Sequence, residues 1–179
     1  CTKYDMPLFI DGARLGYALT ATGNDVTLED IARIADVFYI GGTKVGAMFG
    51  EAVVFTHGNM PKNFVTLVKQ HGALLAKGWL LGVQFDTLFT DDLYCRIARH
   101  ANDAADRIRE VLVERGYTLT FDAPTNQIFI TLDNATSERL QRNVRLGFME
   151  KADDTHTVMR ICTSWATTDE QVEQLIALL

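Results

Sequence analysis

Short apolar runs and longer stretches with helical spacing divide this chain into strands and helices. Residues 37–40 form an unbroken apolar run, which predicts a strand buried on both faces, as in a parallel sheet. Residues 8–10 form a second short apolar run. Between the two runs, apolar residues recur at helical spacing over 28–35, and Thr27 followed by Asp30 resembles an N-terminal capping box. The order strand, helix, strand predicts a right-handed βαβ unit with parallel strands.

Polar residues follow both of these strands. Asp11 comes directly after the first strand, and Gly41, Gly42, Thr43 and Lys44 come after the second. The carboxyl ends of parallel strands lie at one edge of a sheet, where open α/β sheets bind ligands. We therefore expect Asp11 and Lys44 to face one crevice, with the glycines allowing a sharp turn and close approach to a bound molecule. Taken alone, Lys44 could be a surface lysine.

The remainder of the first half predicts one strand and a long helix. Residues 52–55 form another short apolar run, and residues 62–88 predict one long helical tract, buried or at an interface. A second helix is expected to begin with Thr90 as its N-cap and to end at Gly116.

The second half predicts a small α+β domain. Residues 117–121 and 127–132 alternate as half-buried strands around a turn at 123–126. We expect a helix over residues 137–146 and a strand over 157–162. Thr168 and Gln171 are expected to cap the last helix of the chain. We place the first domain at 1–90 and the connecting helix with the small domain at 91–179.

Composition and charge narrow the function classes. The chain has 179 residues, of which 47% are hydrophobic and 22% charged, as in a globular protein. A net charge of −6 with scattered basic residues disfavours nucleic-acid and anionic-membrane partners. The three cysteines lie far apart and the four histidines show no metal spacing, so we expect no metal site and a cytoplasmic location. No apolar run has transmembrane length.

A carboxylate and a lysine at neighbouring strand ends form the pair that pyridoxal phosphate (PLP) requires. The lysine forms a Schiff base with the cofactor aldehyde, and the carboxylate pairs with the pyridinium nitrogen. Arg14 lies on the same turn as Asp11. The simpler interpretation of Asp11 and Arg14 is that the two charges neutralise each other.

Three motifs resemble the threonine aldolase group of the fold-type-I PLP enzymes, which is often grouped with the aromatic amino acid β-eliminating lyases. They are LFIDGARLG at 8–16, GGTKVGA at 41–47 and MRICTSWATT at 159–168. The likeness extends along essentially the whole chain. It implies an α/β fold in which 1–90 forms the C-terminal part of the PLP-binding large domain, with parallel strands, and a small α+β C-terminal domain follows.

The resemblance also implies roles for individual residues. Lys44 would be the Schiff-base lysine and Asp11 the pyridinium partner. Arg14 would lie beside the cofactor and reach the substrate α-carboxylate, and Arg160 in the small domain would hold that carboxylate as well. Thr43 would position the cofactor phosphate, or cap its own turn.

Two further residues match the family only in part. Lys69 lies where some members carry an active-site lysine, and His71 follows it within an incomplete glycine-rich patch. Family members are about twice this long, and their N-terminal half supplies the phosphate loop, the histidine stacked on the ring and the general base. We therefore expect a C-terminal half that is inactive alone, with the missing N-terminal half as its partner and one sheet edge unpaired.

The implied activity is cleavage of L-threonine, or a related β-hydroxy-α-amino acid, to glycine and an aldehyde. The implied assembly is a homodimer or homotetramer. The alternatives are a PLP-dependent β-eliminating lyase of aromatic amino acids, an aminotransferase on the same fold, and a non-catalytic fragment.

Overall fold

The computed structural model describes residues 1–179. Strands and helices are numbered separately along the chain. The strands are β1 (Phe9–Ile10), β2 (Val37–Gly41), β3 (Glu51–Phe55), β4 (Thr118–Leu119), β5 (Gln127–Asp133), β6 (Gly147–Lys151) and β7 (His156–Cys162). The helices are α1 (Leu15–Leu19), α2 (Leu28–Ile34), α3 (Phe64–Gln70), α4 (Trp79–Phe89), α5 (Leu93–Glu114), α6 (Asn134–Gln141) and α7 (Asp169–Leu178). Single 3₁₀ turns lie at Thr2–Tyr4 and Thr90–Asp92.

The chain forms two compact units. The first comprises residues 1–19 and 24–96, and the second comprises residues 20–23 and 97–179. The change from one unit to the other falls within α5, after Arg96.

The first unit contains a three-stranded sheet with the order β1-β2-β3. Strands β1 and β2 are parallel, with Phe9 opposite Val37, which confirms the predicted βαβ unit. Strand β3 runs antiparallel to β2. In β2 only one face is fully buried, because Val37 and Tyr39 retain partial exposure while Phe38 is 2% exposed. The prediction that both faces are buried was wrong.

The predicted helical tract over 62–88 is two helices instead of one. Helix α3 ends at Gln70 and α4 begins at Trp79. Gly72 lies between them with a φ of 70°, a left-handed conformation that ends a helix and favours glycine. Apart from Leu88, which is 5% exposed, the apolar side chains of this segment are not fully buried within the chain, since Trp79 is 64% and Val83 51% exposed.

Helix α5 begins later than the sequence predicted. The hydroxyl group of Thr90 donates to the carbonyl oxygen of Asp86 at 2.7 Å, so Thr90 belongs to the end of α4 and is not the N-cap of α5. Asp91 and Asp92 have φ values of 50° and 56°, which interrupt the helical path. The predicted stop at Gly116 is confirmed by its φ of 79° and by the hydrogen bond that its amide donates to the Val113 carbonyl at 3.0 Å.

The second unit is built on an antiparallel sheet with the order β4-β5-β7-β6. Its buried core combines residues of α5, β5, β7, α6 and α7, with Leu112, Ile130 and Val172 almost fully buried. The capping box predicted for α7 is present at Thr168 and Gln171.

The predicted helix over 137–146 was wrong in its bounds. Helix α6 covers Asn134–Gln141. It begins earlier because the Asp133 carboxylate accepts a hydrogen bond from the Thr136 amide at 2.9 Å and caps the first turn. Strand β6, which pairs with β7, was not predicted. The predicted strand over 117–121 is reduced to the two residues of β4.

No helix in the chain combines the length and the apolar character that crossing a lipid bilayer requires.

Candidate active site

Asp11, which directly follows β1, lies beside Tyr39 in the middle of β2 in the first unit. The parallel register pairs Ile10 with Phe38, and its continuation by one residue sets Asp11 beside Tyr39. The Tyr39 hydroxyl donates a hydrogen bond to Asp11 Oδ1. The same oxygen accepts the Ala13 amide at 3.0 Å. Asp11 Oδ2 accepts no hydrogen bond from the chain and remains available to a further donor.

The surroundings of Asp11 favour its charged form. The hydrogen bond from Tyr39, followed by that from the Ala13 amide, lowers the pKa of Asp11 below its ordinary value, and the positive charges of Lys44 and Arg14 act in the same direction. The hydrogen bond to Asp11 in turn raises the pKa of Tyr39 to about 12. Tyr39 therefore remains a protonated donor, and Asp11 an anionic acceptor, over the physiological pH range.

Two motif glycines allow the strand ends to approach each other. A Cβ atom added to Gly12 would lie 1.7 Å from the Tyr39 carbonyl oxygen, and one added to Gly41 would lie 2.4 Å from the Ala13 carbonyl oxygen. The Gly41 amide donates to the Gly12 carbonyl at 2.9 Å. The sequence suggested that Gly41 and Gly42 allow close approach to a bound molecule. At Gly41 the structure shows close approach of the Gly12 and Ala13 backbone.

Glu51, the first residue of β3, holds the turn that bears the lysine. Its Oε2 accepts the Gly42 amide at 2.7 Å, and its Oε1 accepts the Thr43 hydroxyl at 3.2 Å. Within the turn, the Val45 amide donates to the Gly42 carbonyl at 2.9 Å. The Thr43 hydroxyl thus stabilises its own turn here, and its predicted role toward a phosphate stays a prediction.

Two buried tyrosines anchor the main chain on either side of this turn. Tyr94 is 1% exposed and donates from its hydroxyl to the Gly41 carbonyl at 2.8 Å. Burial raises the pKa of Tyr94 well above its ordinary value. Tyr17, also 1% exposed, donates to the Lys44 carbonyl. The Lys44 side chain itself is exposed and makes no hydrogen bond or ion pair with the chain, so its amine is accessible.

Sequence reasoning missed Tyr17, Tyr39, Tyr94 and Glu51. Of these, Tyr39 had a usable signal, because the predicted parallel pairing of its strand with the first strand already placed it near Asp11. The other three each act through a contact with a backbone atom, and Glu51 also accepts the Thr43 hydroxyl; such contacts leave no pattern in a single sequence.

The remaining predicted residues of the first unit differ in their placement. Arg14 is partly buried, and its guanidinium makes no hydrogen bond or ion pair with the chain. Lys69 and His71 are exposed at the C-terminal end of α3. No hydrogen bond or ion pair joins either of them to Asp11, Arg14 or Lys44.

Arg160 belongs to the second unit, where it lies on β7. Its Nη1 donates to Gln127 Oε1 at 3.2 Å, whereas its Nε is buried without a partner. It lines a cavity of about 210 Å³ together with Arg145 and Gln171. A buried guanidinium N–H without an acceptor is uncommon in folded proteins and is consistent with an acceptor supplied from outside the chain.

A larger cavity of about 620 Å³ lies elsewhere in the second unit. Two arginines in its lining already donate to main-chain carbonyls, Arg115 to Ile176 at 2.7 Å and Arg139 to Leu178 at 2.9 Å. This cavity includes none of the residues predicted for the site. The structure also contains no cluster of three or more histidine, cysteine or carboxylate side chains suited to a metal ion.

Two curated proteins are similar in sequence to this chain along almost its whole length. No protein-family model matches the chain. The low specificity L-threonine aldolase of Pseudomonas aeruginosa is 29% identical over 176 residues, which cover 98% of this chain and 50% of that protein. The chain therefore spans about half the length of the curated relatives that it matches.

Solved structures show the same likeness. The Leishmania major threonine aldolase superposes with a TM-score of 0.95 and 40% identity, covering 99% of this chain and 52% of that one. The serine palmitoyltransferase of Sphingomonas wittichii superposes with a TM-score of 0.67 and 18% identity, covering 99% of this chain and 47% of that one, and this shows a shared fold alone. The resemblance to threonine aldolases and the fold-type-I architecture, both predicted from the sequence, are confirmed.

Proposed function

We propose, from the similarity of the whole chain to threonine aldolases, that it supplies the lysine-bearing half of a PLP-dependent carbon–carbon lyase. The proposed substrate is L-threonine or a related β-hydroxy-α-amino acid, cleaved between Cα and Cβ to glycine and an aldehyde. The observation that supports this most directly is the placement of Asp11 and Lys44. An anionic carboxylate with a free oxygen and an accessible amine follow adjacent parallel strands of one sheet.

The residues present are suited to PLP. When bound, PLP supplies an electron sink for the charge that develops at the substrate α-carbon. Lys44 would hold the cofactor through its aldehyde, since the amine is exposed and unpaired. Asp11 Oδ2 would accept a hydrogen bond from the ring nitrogen and keep that nitrogen protonated by its charge.

The two arginines would hold the substrate carboxylate. A guanidinium binds a carboxylate through two parallel hydrogen bonds, which sets the orientation of the bonds at Cα. Arg14 has an unengaged guanidinium on the turn after Asp11. For Arg160, the support comes from its own surroundings, since its buried Nε lacks an acceptor. Thr43 would contribute to the phosphate site only in addition to its bond with Glu51.

Lys69 and His71 have weaker support. Both are exposed and lack polar contacts with Asp11 or Lys44, so we propose them only as residues near the site. We propose that the general base for the β-hydroxyl group comes from an N-terminal half like that of the threonine aldolases, which this chain does not contain. The chain alone is therefore proposed to be inactive.

We propose a homodimer or homotetramer as the working form, located in the cytoplasm. Large apolar side chains on the lysine-bearing unit are exposed, including Met48 at 88%, Trp79 at 64% and Val65 at 61%. Apolar patches of this kind commonly mark subunit contacts. They are also compatible with contact to the remaining half of the same enzyme.

The test is a pair of lysine variants in the full-length protein. Wild-type protein with PLP should develop the near-visible absorption band of a lysine-bound cofactor, and Lys44→Ala should not. Lys62→Ala removes an exposed lysine without hydrogen bonds or ion pairs and should keep the band. Absence of the band from the wild-type protein would leave the non-catalytic alternative.

Product analysis separates the enzymatic alternatives. Threonine should yield glycine and acetaldehyde, and tyrosine should yield no ammonia. Ammonia from tyrosine without aldehyde from threonine would instead indicate a β-eliminating lyase. Accumulation of pyridoxamine phosphate with an amino donor would indicate an aminotransferase.

A further inference from the structure

We propose that Tyr39 is a positioning residue for Asp11. The Tyr39 hydroxyl occupies Oδ1 of the Asp11 carboxylate and leaves Oδ2 as the oxygen that accepts a hydrogen bond from the ring nitrogen of PLP. This inference rests on the proposed function, because it assigns Tyr39 a role toward the same cofactor. It adds to that function a residue that does not itself touch the substrate.

The register of the parallel strands dictates the contact. Phe9 is opposite Val37 and Ile10 opposite Phe38, so the side chains of Asp11 and Tyr39 follow on the same face of the pleat. The Tyr39 ring also packs beside Phe9, with ring centroids 6.1 Å apart. Its backbone is held as well, since the Tyr39 carbonyl lies against the Cα of Gly12, where no side chain has room.

Two donors on one oxygen set the rotation of the carboxylate. The terminal torsion of aspartate is broad and nearly two-fold. The Ala13 amide, at 3.0 Å from Oδ1, is a single donor and by itself restricts this torsion less than two donors would. The Tyr39 hydroxyl approaches from the neighbouring strand and binds the same oxygen. Because both donors bind one oxygen, they restrict the torsion of the carboxylate and leave the other oxygen unoccupied.

The hydrogen bond from Tyr39 also affects whether the proton shared by Asp11 and the PLP ring nitrogen lies on the nitrogen or on the carboxylate. The charged groups that act on Asp11 are Lys44 and Arg14, and Tyr39 is the largest influence toward its ionised form. A less basic Asp11 leaves the shared proton on the ring nitrogen and not on the carboxylate. Glu51 and Asp11 both help to keep the Tyr39 hydroxyl protonated, and hence a donor.

The test is Tyr39→Phe in the full-length protein, which removes one oxygen and keeps the ring beside Phe9. Tyr4→Phe is the matched control, because Tyr4 is 69% exposed and its hydroxyl has no partner. The first readout needs no cofactor: an NMR titration of labelled aspartate carboxyl groups in the apoprotein. The second is NMR of ring-labelled PLP bound to the protein, which reports the protonated fraction of its nitrogen.

We expect Tyr39→Phe to bind PLP at Lys44, with the absorption band intact. The pKa of Asp11 should rise toward 3.8, and the protonated fraction of the ring nitrogen should fall. The turnover number with threonine should fall by about tenfold with a smaller change in KM, as for loss of a hydrogen bond to a charged group. Tyr4→Phe should match the wild-type protein in every readout.

An unchanged Asp11 titration, or an unchanged ring nitrogen, in folded Tyr39→Phe would overturn the proposal. Should that variant fail to fold, Asp11→Asn tests the contact from the other side. The pKa of Tyr39 should then fall from about 12 toward 10.0 in an ultraviolet titration, and an unchanged value would refute the contact. Failure of the proposed function is a separate result, since it appears as a wild-type protein that forms no band with PLP.

Discussion

The hydroxyl group of Tyr94 donates to the Gly41 carbonyl at 2.8 Å and accepts the Gly16 amide at 3.1 Å. One phenol group therefore links the segment after Asp11 with the segment before Lys44. Gly16 also has to be small, since an added Cβ would lie 2.9 Å from the Tyr94 ring. The separation of the two candidate cofactor residues thus depends on a buried side chain that contacts neither of them.

Tyr94→Phe should destabilise the first unit. The Gly41 carbonyl and the Gly16 amide lose their shared partner, and removing a buried hydrogen-bond partner costs about 1–3 kcal/mol. Urea unfolding should therefore show a lower midpoint. Tyr4→Phe, at an exposed position, should change the free energy of unfolding by less than about 0.5 kcal/mol. Equal midpoints for the two variants would show that the Tyr94 hydroxyl contributes nothing to stability.

Gly12→Ala should disrupt the alignment of β1 with β2. The new Cβ would lie 1.7 Å from the Tyr39 carbonyl oxygen, and overpacking against backbone costs about 1–3 kcal/mol or more. Gly82→Ala is the control, because nothing lies within 4 Å of its added Cβ and it is within α4. The control should gain up to about 1 kcal/mol from helix propensity. Thermal unfolding of both variants gives the comparison, and a neutral Gly12→Ala would contradict the observed close approach.

Glu51→Ala should loosen the turn that bears Lys44. It removes the acceptor of the Gly42 amide at 2.7 Å and of the Thr43 hydroxyl. We expect slower formation of the PLP absorption band by about tenfold, as for loss of a charge-assisted hydrogen bond. Glu29→Ala, an exposed carboxylate on α2 with no hydrogen bond, should form the band at the wild-type rate. Wild-type kinetics for Glu51→Ala would show that the turn keeps its conformation without this carboxylate.

The contact between Asp11 and Tyr39 should stabilise the fold only between two pH limits. The pKa of Asp11 is lowered by folding, so its contribution is present above 3.8 and is lost as the pH falls through the folded value. The pKa of Tyr39 is raised, so its contribution is present below 10.0 and is lost as the pH rises toward 12.

The measurement is the difference in unfolding free energy between the wild-type protein and Tyr39→Phe as a function of pH. The difference should be largest near neutrality and should shrink below pH 3.8 and above pH 10.0. A difference independent of pH would assign the effect of the variant to packing and not to the hydrogen bond.

Local features of the fold were predictable wherever the interacting groups lie within one helical turn of each other. The capping boxes at Thr27 and Thr168 are present as predicted, since each involves a side chain and a backbone amide three residues apart. The stop at Gly116 is also local. Thr90 was misassigned, because a threonine at a helix junction can end one helix as well as begin the next.

The tract over 62–88 shows why apolar content alone is insufficient. Its leucines and glycines predicted one buried helix, yet the chain breaks between α3 and α4 and leaves much of this surface exposed. Burial depends on what packs against a segment. A single sequence does not contain that information.

The amino-acid sequence is sufficient to predict that Asp11 and Lys44 follow neighbouring parallel strands, because apolar runs, helical spacing and the handedness of βαβ units are local or general properties. The family resemblance follows from three short motifs in the same way. How the two residues are held became visible only in the folded structure. Tyr39 is 28 positions from Asp11 and Tyr94 is 53 from Gly41, and contacts at such separations depend on register and packing, which arise only when the whole unit folds.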